Sequence, residues 1–170
     1  SSMVTNPLQA AGKANSDRRP ILQNLALAAR LVTQAIVAPV AFGAHAMVED
    51  GQGRLLLVRH TYFPGWHFPG GGVNRGEPAT AAVVRELQEE IGLTGFEACE
   101  LFGLYTRKHI WATNVIALFH MRGVTFNFKP NAEIAEAKFY APDAPPSEIG
   151  PGASRRFEER VRGVARALYW

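Results

Sequence analysis

The stretch Phe68–Leu93, FPGGGVNRGEPATAAVVRELQEEIGL, decides the fold of this chain. Three consecutive glycines open it, and they allow the backbone to turn sharply and to approach a ligand closely. Pro78 suits the start of a helix, because its missing N–H would have no helical partner there, and Gly92 suits a left-handed cap at the end. Three apolar residues recur with helical spacing: Val84, Leu87 and Ile91. The stretch therefore predicts a glycine-rich loop followed by a helix that buries one face.

Three carboxylates fall largely on the other side of this predicted helix: Glu86, Glu89 and Glu90. Like charges at this spacing destabilise a helix by about 0.2–0.5 kcal/mol per pair, and the helix dipole adds negative charge at the same end. A divalent cation removes this repulsion, and Mg²⁺ or Mn²⁺ prefers such hard oxygen ligands. The cluster is either a metal site or a solvated glutamate-rich face.

The spacing of the whole stretch is more specific than the acidic cluster alone. It is Gly71-x5-Glu77-x7-Arg85-Glu86-Leu87-x-Glu89-Glu90-x-Gly92-Leu93. This pattern resembles the Nudix box of the Nudix hydrolase family at all nine fixed positions over 23 residues. The resemblance covers about 40–168, and the first forty residues lie outside it.

The resemblance implies a hydrolase that uses Mg²⁺ or Mn²⁺ to cleave a nucleoside diphosphate linked to another group. The small-molecule partner is then a nucleoside diphosphate derivative, of nucleotide or nucleotide-sugar type. It implies metal ligands within the box, namely Glu86, Glu89, Glu90 and the carbonyl of Gly70. It also implies that Glu77 and Arg85 form an ion pair that braces the loop without taking part in the chemistry.

One further carboxylate is expected from outside the box. The segment NAEIAEAKFY, 131–140, resembles the family segment in which a glutamate precedes the last strand. Glu133 is the candidate and Glu136 is the substitute if the register differs. Glu86, Glu89 and Glu133 are each a candidate general base, because close carboxylates share protons and sequence cannot apportion them.

Candidate substrate-binding residues precede the box. Arg59 ends a predicted strand at a position where the family often has a basic residue near the substrate, although an ordinary strand-end arginine is an equal alternative. Tyr62 and Trp66 could stack on a base, or they could fill the core instead. His60 and His67 lack a metal-ligand spacing to a partner histidine or cysteine, so the sequence does not favour a zinc site.

The fold class expected from the resemblance is α/β: a Nudix-type α/β/α sandwich with a mixed β-sheet, plus an N-terminal helix. We expect a flexible tail over 1–20, a helix over 21–38 and the Nudix hydrolase domain over 39–170. The predicted strands are 40–48, 54–59, 96–106, 111–121 and 126–130, with a last strand within 131–140. A C-terminal helix is expected from about Ala153, with four residues packed on the sheet (Phe157, Val161, Val164 and Leu168) and its arginines, Arg156 among them, mostly exposed.

Composition limits the other possibilities. The 170 residues are 47% hydrophobic and 19% charged, which fits a globular domain. A net charge of +3 is too small to indicate nucleic-acid binding, and the single cysteine fits a reducing compartment such as the cytoplasm. Polar residues interrupt the predicted N-terminal helix, so we expect no transmembrane segment. Packing on the domain or in a homodimer is favoured over attachment to a membrane surface.

A second class of function stays open at this stage. Some proteins of this fold only bind a nucleotide-like ligand and regulate something else, and in them the box is usually degraded. The intact box of this chain favours an enzyme over a non-catalytic nucleotide-binding module.

Overall fold

The computed structural model describes residues 19–108 and 112–170, and it divides into two units at Pro39. The predicted tail lies mostly outside the described residues. In the first unit, helix α1 spans Arg19–Val37, close to the predicted 21–38, and its described side chains are exposed. Within the described ranges, no helix has the length and hydropathy that crossing a bilayer requires. The packing of α1 and the cytoplasmic location stay predictions.

The second unit, Val40–Trp170, contains strands and two further helices. The strands are β1 (Val40–Glu49), β2 (Leu55–His60), β3 (Trp66–His67), β4 (Gly70–Gly72), β5 (Leu93–Gly95), β6 (Ala98–Lys108), β7 (Thr113–Arg122), β8 (Thr125–Phe126) and β9 (Ile134–Tyr140). The helices are α2 (Ala79–Ile91) and α3 (Pro151–Arg162).

Strand β1 organises a mixed seven-stranded sheet. One edge of β1 pairs with β7 in parallel over its whole length. Its other edge pairs antiparallel with β2 near one end and with β4 near the other. Strand β6 lies beyond β7, and β2 also pairs with β3 and β9, while β5 and β8 form a separate ribbon. The antiparallel contact between β1 and β4 brings the glycine-rich loop to the middle of the sheet.

Alternation along the central strands builds a core on each face of the sheet. In β2, Leu56 and Val58 face one core, whereas Leu55 and Leu57 face the other. The first core also contains Leu87 and other residues of α2, and the second contains Phe157 of α3. The predicted α/β/α sandwich with a mixed sheet is therefore confirmed.

Helix α2 follows the sequence prediction closely. Gly92 caps its C-terminus in the left-handed conformation, with φ 69° and ψ 44°, and its N–H reaches the carbonyl oxygens of Leu87 and Gln88. Leu87 and Ile91 are fully buried, while Val84 is partly buried. Pro78, expected to be the first helical residue, instead has an extended conformation and directly precedes the helix, which begins at Ala79.

The predicted strand over 126–130 is wrong for most of its length. Only Thr125–Phe126 forms a strand, and it pairs with β5. Pro130 has no N–H to donate to a ladder, which accounts for part of the error. The predicted strand 111–121 begins at Trp111. Residues 109–111 lie outside the described part of the chain.

The prediction for the C-terminal helix is also wrong beyond its third turn. Helix α3 begins at Pro151 and ends where Gly163 adopts a left-handed conformation with φ 61°. Three of the four residues expected to pack on the sheet are exposed: Val161, which lies in the last turn of α3, and Val164 and Leu168, which follow the helix. The expected exposure of Arg156 is wrong as well, because this residue is 1% exposed.

We expect Gly70→Ala to destabilise the fold by on the order of 3 kcal/mol. The φ of Gly70 is 135°, and an added Cβ would lie 2.3 Å from the backbone oxygen of Ala44. The matched control is Gly72→Ala, since a Cβ there meets nothing within 4 Å. Urea unfolding of both variants checks the prediction, and equal stabilities would contradict it.

Candidate active site

The glycine-rich loop is tied to α2 by one arginine. Arg85 donates from Nε to Glu77 Oε1 at 2.9 Å and from Nη2 to the carbonyl of Gly72 at 2.9 Å. Glu77 Oε2 also accepts from the backbone N–H of Asn74 at 2.9 Å. Hydrogen bonds from Arg85 and then from Asn74 lower the pKa of Glu77 to about 2. The predicted pair, Glu77 and Arg85, is thus in contact and fixes the loop on the helix.

The same arginine positions Glu86. Nη1 of Arg85 donates to Glu86 Oε1 at 2.7 Å and lies 3.7 Å from Glu89 Oε2. A Cβ at Gly71 would lie 2.5 Å from Glu86 Oε2, so the missing side chain leaves room for this carboxylate. Glu89 is more exposed, at 57% of its side chain against 14% for Glu86. The two carboxylates therefore lie next to the loop, with Arg85 between them and Glu77.

Glu90 is the buried member of the cluster. It is 3% exposed, and its Oε2 accepts from the N–H of Gly70 at 2.8 Å. Burial raises the pKa of Glu90 to about 8 against the opposing effect of this N–H, and the charges of Glu86, Glu133 and Glu89 raise it as well. The effect of Glu133 on Glu90 indicates that Glu133 lies in the same region as the three carboxylates of the box.

Glu133 is brought there by an asparagine that sequence reasoning missed. Asn131 donates from Nδ2 to the carbonyl of Glu90 at 3.0 Å, and its Oδ1 accepts from the N–H of Glu133 at 2.9 Å. From the other side, the N–H of Thr61 donates to the carbonyl of Glu133 at 2.8 Å. An asparagine two residues before Glu133 is a common turn signal that would have been available in the sequence.

The remaining candidates divide between this site and the core. Glu136, the substitute for Glu133, forms ion pairs with Arg59 and Lys138. Trp66 is 8% exposed, and its ring packs at 5.2 Å against Tyr140. The guanidinium of Arg59 lies 5.9 Å from the centre of the Trp66 ring. These contacts favour the alternatives of a strand-end arginine and a core tryptophan.

Tyr62 lies at the acidic cluster instead. It is 67% exposed, in the connector between β2 and β3. Its pKa is raised, first by burial and then by the negative charges of Glu133, Glu90 and Glu86. The effect of these charges indicates that Tyr62 lies in the same region as the carboxylates, and its contact with a substrate stays a prediction.

The donor set has the chemistry of a site for a hard divalent cation, because it offers several carboxylates whose repulsion such an ion would relieve. Within residues 19–108 and 112–170, no three acidic, histidine or cysteine side chains converge as a preformed metal site. Arg85 and the N–H of Gly70 hold Glu86 and Glu90 in the conformation described. The fit therefore rests on the chemistry and proximity of the carboxylates.

A cavity of about 380 Å³ opens beside the glycine-rich loop. Its wall includes Gly70–Gly72 together with aromatic and imidazole rings from distant parts of the chain: His45, His60, Phe63, His67, Phe68 and Trp170. Four of these rings come from the connector HTYFPGWHF, 60–68. His45 and Trp170 carried no local signal, because only the fold brings them to this wall.

Two histidines of this wall, His45 and His60, are neutral at physiological pH. Burial lowers the pKa of His45 to about 4, with a smaller contribution from the charges of His60, His67 and Arg107, against the opposing effect of the Phe68 carbonyl. The pKa of His60 is also lowered to about 4, first by burial and then by His67. The wall is therefore aromatic and largely uncharged, with Arg107 as a cationic member.

The braced loop and the carboxylate-bearing helix, seated on a mixed sheet between two helices, are the architecture of a Nudix domain. The family model described as NUDIX domain matches residues 39–160. The chain therefore belongs to the Nudix hydrolase family, as the resemblance of its box predicted. Members of this family act on small nucleotide derivatives and generally use divalent metals.

Individual relatives share the domain to different extents. A Bacillus subtilis (strain 168) protein, provisionally named an 8-oxo-dGTP diphosphatase, is 38% identical over 128 residues, which cover 72% of this chain and 80% of that protein. An RNA pyrophosphohydrolase of Gluconacetobacter diazotrophicus is 39% identical over 70 residues, 36% of this chain and only 42% of that protein. A MutT Nudix hydrolase of Burkholderia pseudomallei has the same fold, with a TM-score of 0.62, 23% identity and coverage of 70% and 96% of the two chains.

We expect the metal-free protein to lose stability as the pH rises from about 6.5 to about 8, because below about 6.5 the lowered pKa values of His45 and His60 have the opposite effect. The folded state keeps the proton on Glu90 up to about pH 8, whereas the unfolded chain releases it near the ordinary value of 4.5, so the proton stabilises the fold only at low pH. The loss attributable to Glu90 within this window is on the order of 2 kcal/mol.

Urea unfolding in EDTA at several pH values measures this effect. Glu90→Gln should flatten the pH dependence, while Glu158→Gln, at an exposed position of α3, should leave it unchanged. The same slope in the wild type and in Glu90→Gln would contradict the assignment.

Proposed function

We propose that this Nudix hydrolase cleaves a phosphoanhydride bond in a nucleoside diphosphate derivative, with Mg²⁺ or Mn²⁺ as its cofactor. The observation that carries the proposal is the acidic cluster of Glu86, Glu89, Glu90 and Glu133 beside an aromatic cavity at the same glycine-rich loop. The cluster suits the metal-bound phosphates, and the cavity suits the uncharged part of the substrate.

Glu86, Glu89 and Glu90, with the carbonyl of Gly70, would hold the metal. When bound, the ion would neutralise charge on the phosphates and lower the pKa of a water molecule. Arg85 keeps Glu86 in place, and the N–H of Gly70 keeps the buried Glu90 next to the loop. These contacts orient the ligand atoms before the substrate arrives.

Glu133 is the carboxylate best placed to orient or deprotonate the attacking water. It reaches the cluster from outside the box, so it approaches the metal from a different direction than the ligands of α2. It is exposed, whereas Glu90 is buried and Glu86 accepts a hydrogen bond from Arg85. Glu86 and Glu89 remain the alternative bases, with positions that also suit metal ligands.

The nucleoside part of the substrate would occupy the cavity. Neutral imidazoles and phenyl rings offer stacking surfaces to a flat base and little attraction to a phosphate. Tyr62 and Arg107 lie where they could contact the charged part of the substrate. The nucleotide specificity in the name of the Bacillus subtilis relative is in keeping with a nucleotide substrate.

Hydrolysis of a panel of nucleoside diphosphate derivatives tests the proposal. The panel contains nucleoside triphosphates, dinucleoside polyphosphates and nucleotide sugars, each with Mg²⁺, with Mn²⁺ and with EDTA, and the products are separated by chromatography. We expect metal-dependent cleavage of at least one of them. A chain that binds nucleotides but cleaves none of them would instead be the non-catalytic module.

We expect Glu89→Gln to lower kcat by about 100-fold or more, because a metal ligand is lost. The melting temperature in EDTA should be unchanged or higher, since one repelling charge is removed. Gln88→Ala is the control, because Gln88 is an exposed neighbour on the same helix. Near-normal turnover in Glu89→Gln would contradict the metal assignment.

Glu133→Gln and Glu136→Gln form a second matched pair. We expect the first to lower kcat strongly, by about 10²–10⁴-fold if Glu133 is the general base. The second should have a weak effect, because Glu136 is engaged by Arg59 and Lys138. Equal and mild effects on kcat would mean that neither residue is the general base. The base would then have to be a carboxylate of the box.

A further inference from the structure

The segment 164–170, which follows α3, returns to the edge of the sheet. The N–H of Thr106 in β6 donates to the carbonyl of Leu168 at 3.0 Å, and the N–H of Trp170 donates to the carbonyl of Thr106 at 3.1 Å. Thr106 and Tyr169 form a parallel bridge. The segment therefore pairs with the edge strand β6.

Helix α3 fixes this segment from the other side. Glu159 Oε1 accepts from the N–H of Ala167 at 2.8 Å and from Nη2 of the buried Arg156 at 2.8 Å. Nη2 of Arg156 also lies 3.4 Å from the carbonyl of Tyr169. The guanidinium of Arg156 packs 4.0 Å from the ring centre of Tyr105 and 5.7 Å from that of Trp170. The contacts of the buried Arg156 thus hold the segment in place.

The contacts of Trp170 place its indole in the wall of the cavity. The indole stacks on His45 with 5.6 Å between ring centres and 28° between planes, and it meets the edge of Tyr105 at 5.7 Å. A Cβ at Gly152 would lie 2.2 Å from Trp170 Nε1, so α3 carries a glycine where the indole sits. The indole is only partly buried, and it lines the cavity.

These contacts give the indole a fixed orientation beside the metal-binding loop. Its partner His45 lies in β1 opposite Gly70 of β4, so the stacked rings adjoin the loop itself. A residue that served the core alone would be expected to bury its whole ring there. Instead, a partly buried aromatic ring remains at a cavity lined by further aromatic rings and by the neutral imidazoles of His45 and His60.

We propose that 164–170 is part of the substrate site and that the Trp170 indole contacts the nucleobase and positions it. The inference rests on the proposed function, because it takes the occupant of the cavity to be a base. Any base can stack on an aromatic ring, but the stacking energy increases with the area of the base. Trp170 should therefore increase the affinity for purine nucleotides more than the affinity for pyrimidine nucleotides. Arg156 and Gly152 act through Trp170 and are positioning residues.

Steady-state kinetics on the best nucleotide of the panel tests this proposal. Trp170→Ala should raise KM about tenfold and leave kcat within about twofold, because a base contact of this kind affects binding and not the metal chemistry. Trp170→Phe should restore KM to within about threefold of the wild type. Leu168→Ala is the control, since this side chain is 78% exposed and its backbone makes the strand contact.

Fluorescence provides the second readout. The chain has three tryptophans, and the change in emission on adding the nucleotide in EDTA should be lost in Trp170→Phe, although its KM is nearly normal. An active enzyme with an unchanged KM in Trp170→Ala would overturn the role of Trp170 alone. Equal loss of kcat and melting temperature in both Trp170 variants would also overturn it, because that pattern is structural. A wild type that neither binds nor cleaves any nucleotide would overturn the proposed function as well.

Discussion

Repulsion among the carboxylates at one end of α2 is the constraint on which the site depends. Glu90 is buried close to Glu86, Glu89 and Glu133. Burial raises its pKa to about 8, and the charges of these three neighbours contribute to the increase. The fold tolerates the cluster because Arg85 and the N–H of Gly70 each hold one of its members by a hydrogen bond. Stability alone would favour fewer charges here, so the cluster is best explained by a cation that binds it.

The loop contributes to the same site through two glycines, because a side chain at either position would clash with a neighbouring residue. Gly70 brings its backbone against Ala44 of β1, and Gly71 leaves the space that the Glu86 carboxylate fills. The two glycines therefore connect the centre of the sheet with the acidic face of the helix. This arrangement explains why the box must contain both the loop and the helix, since neither alone fixes the carboxylates.

The sequence predicted the features that depend on neighbouring residues. Alternation located most of the strands, and Gly92 marked the end of α2 where its left-handed cap is found. Helical spacing failed after Gly163, because the apolar pattern through Leu168 continued while the glycine ended the helix. No local pattern could place Trp170 against His45, since 125 residues separate them and only the pairing of the segment with β6 brings them together.

The site thus has two parts with different origins in the chain. The proposed chemistry belongs to one continuous stretch and to Glu133. The cavity shares the glycine-rich loop with that stretch, and the rest of its lining comes from β1, the connector after β2, β6, β7, the start of α3 and the end of the described chain. Substitutions in the second set can change the shape of the cavity without touching the carboxylates. The box therefore identifies the family and contains the proposed ligands for the metal, and we expect substrate choice to depend on residues such as His45 and Trp170.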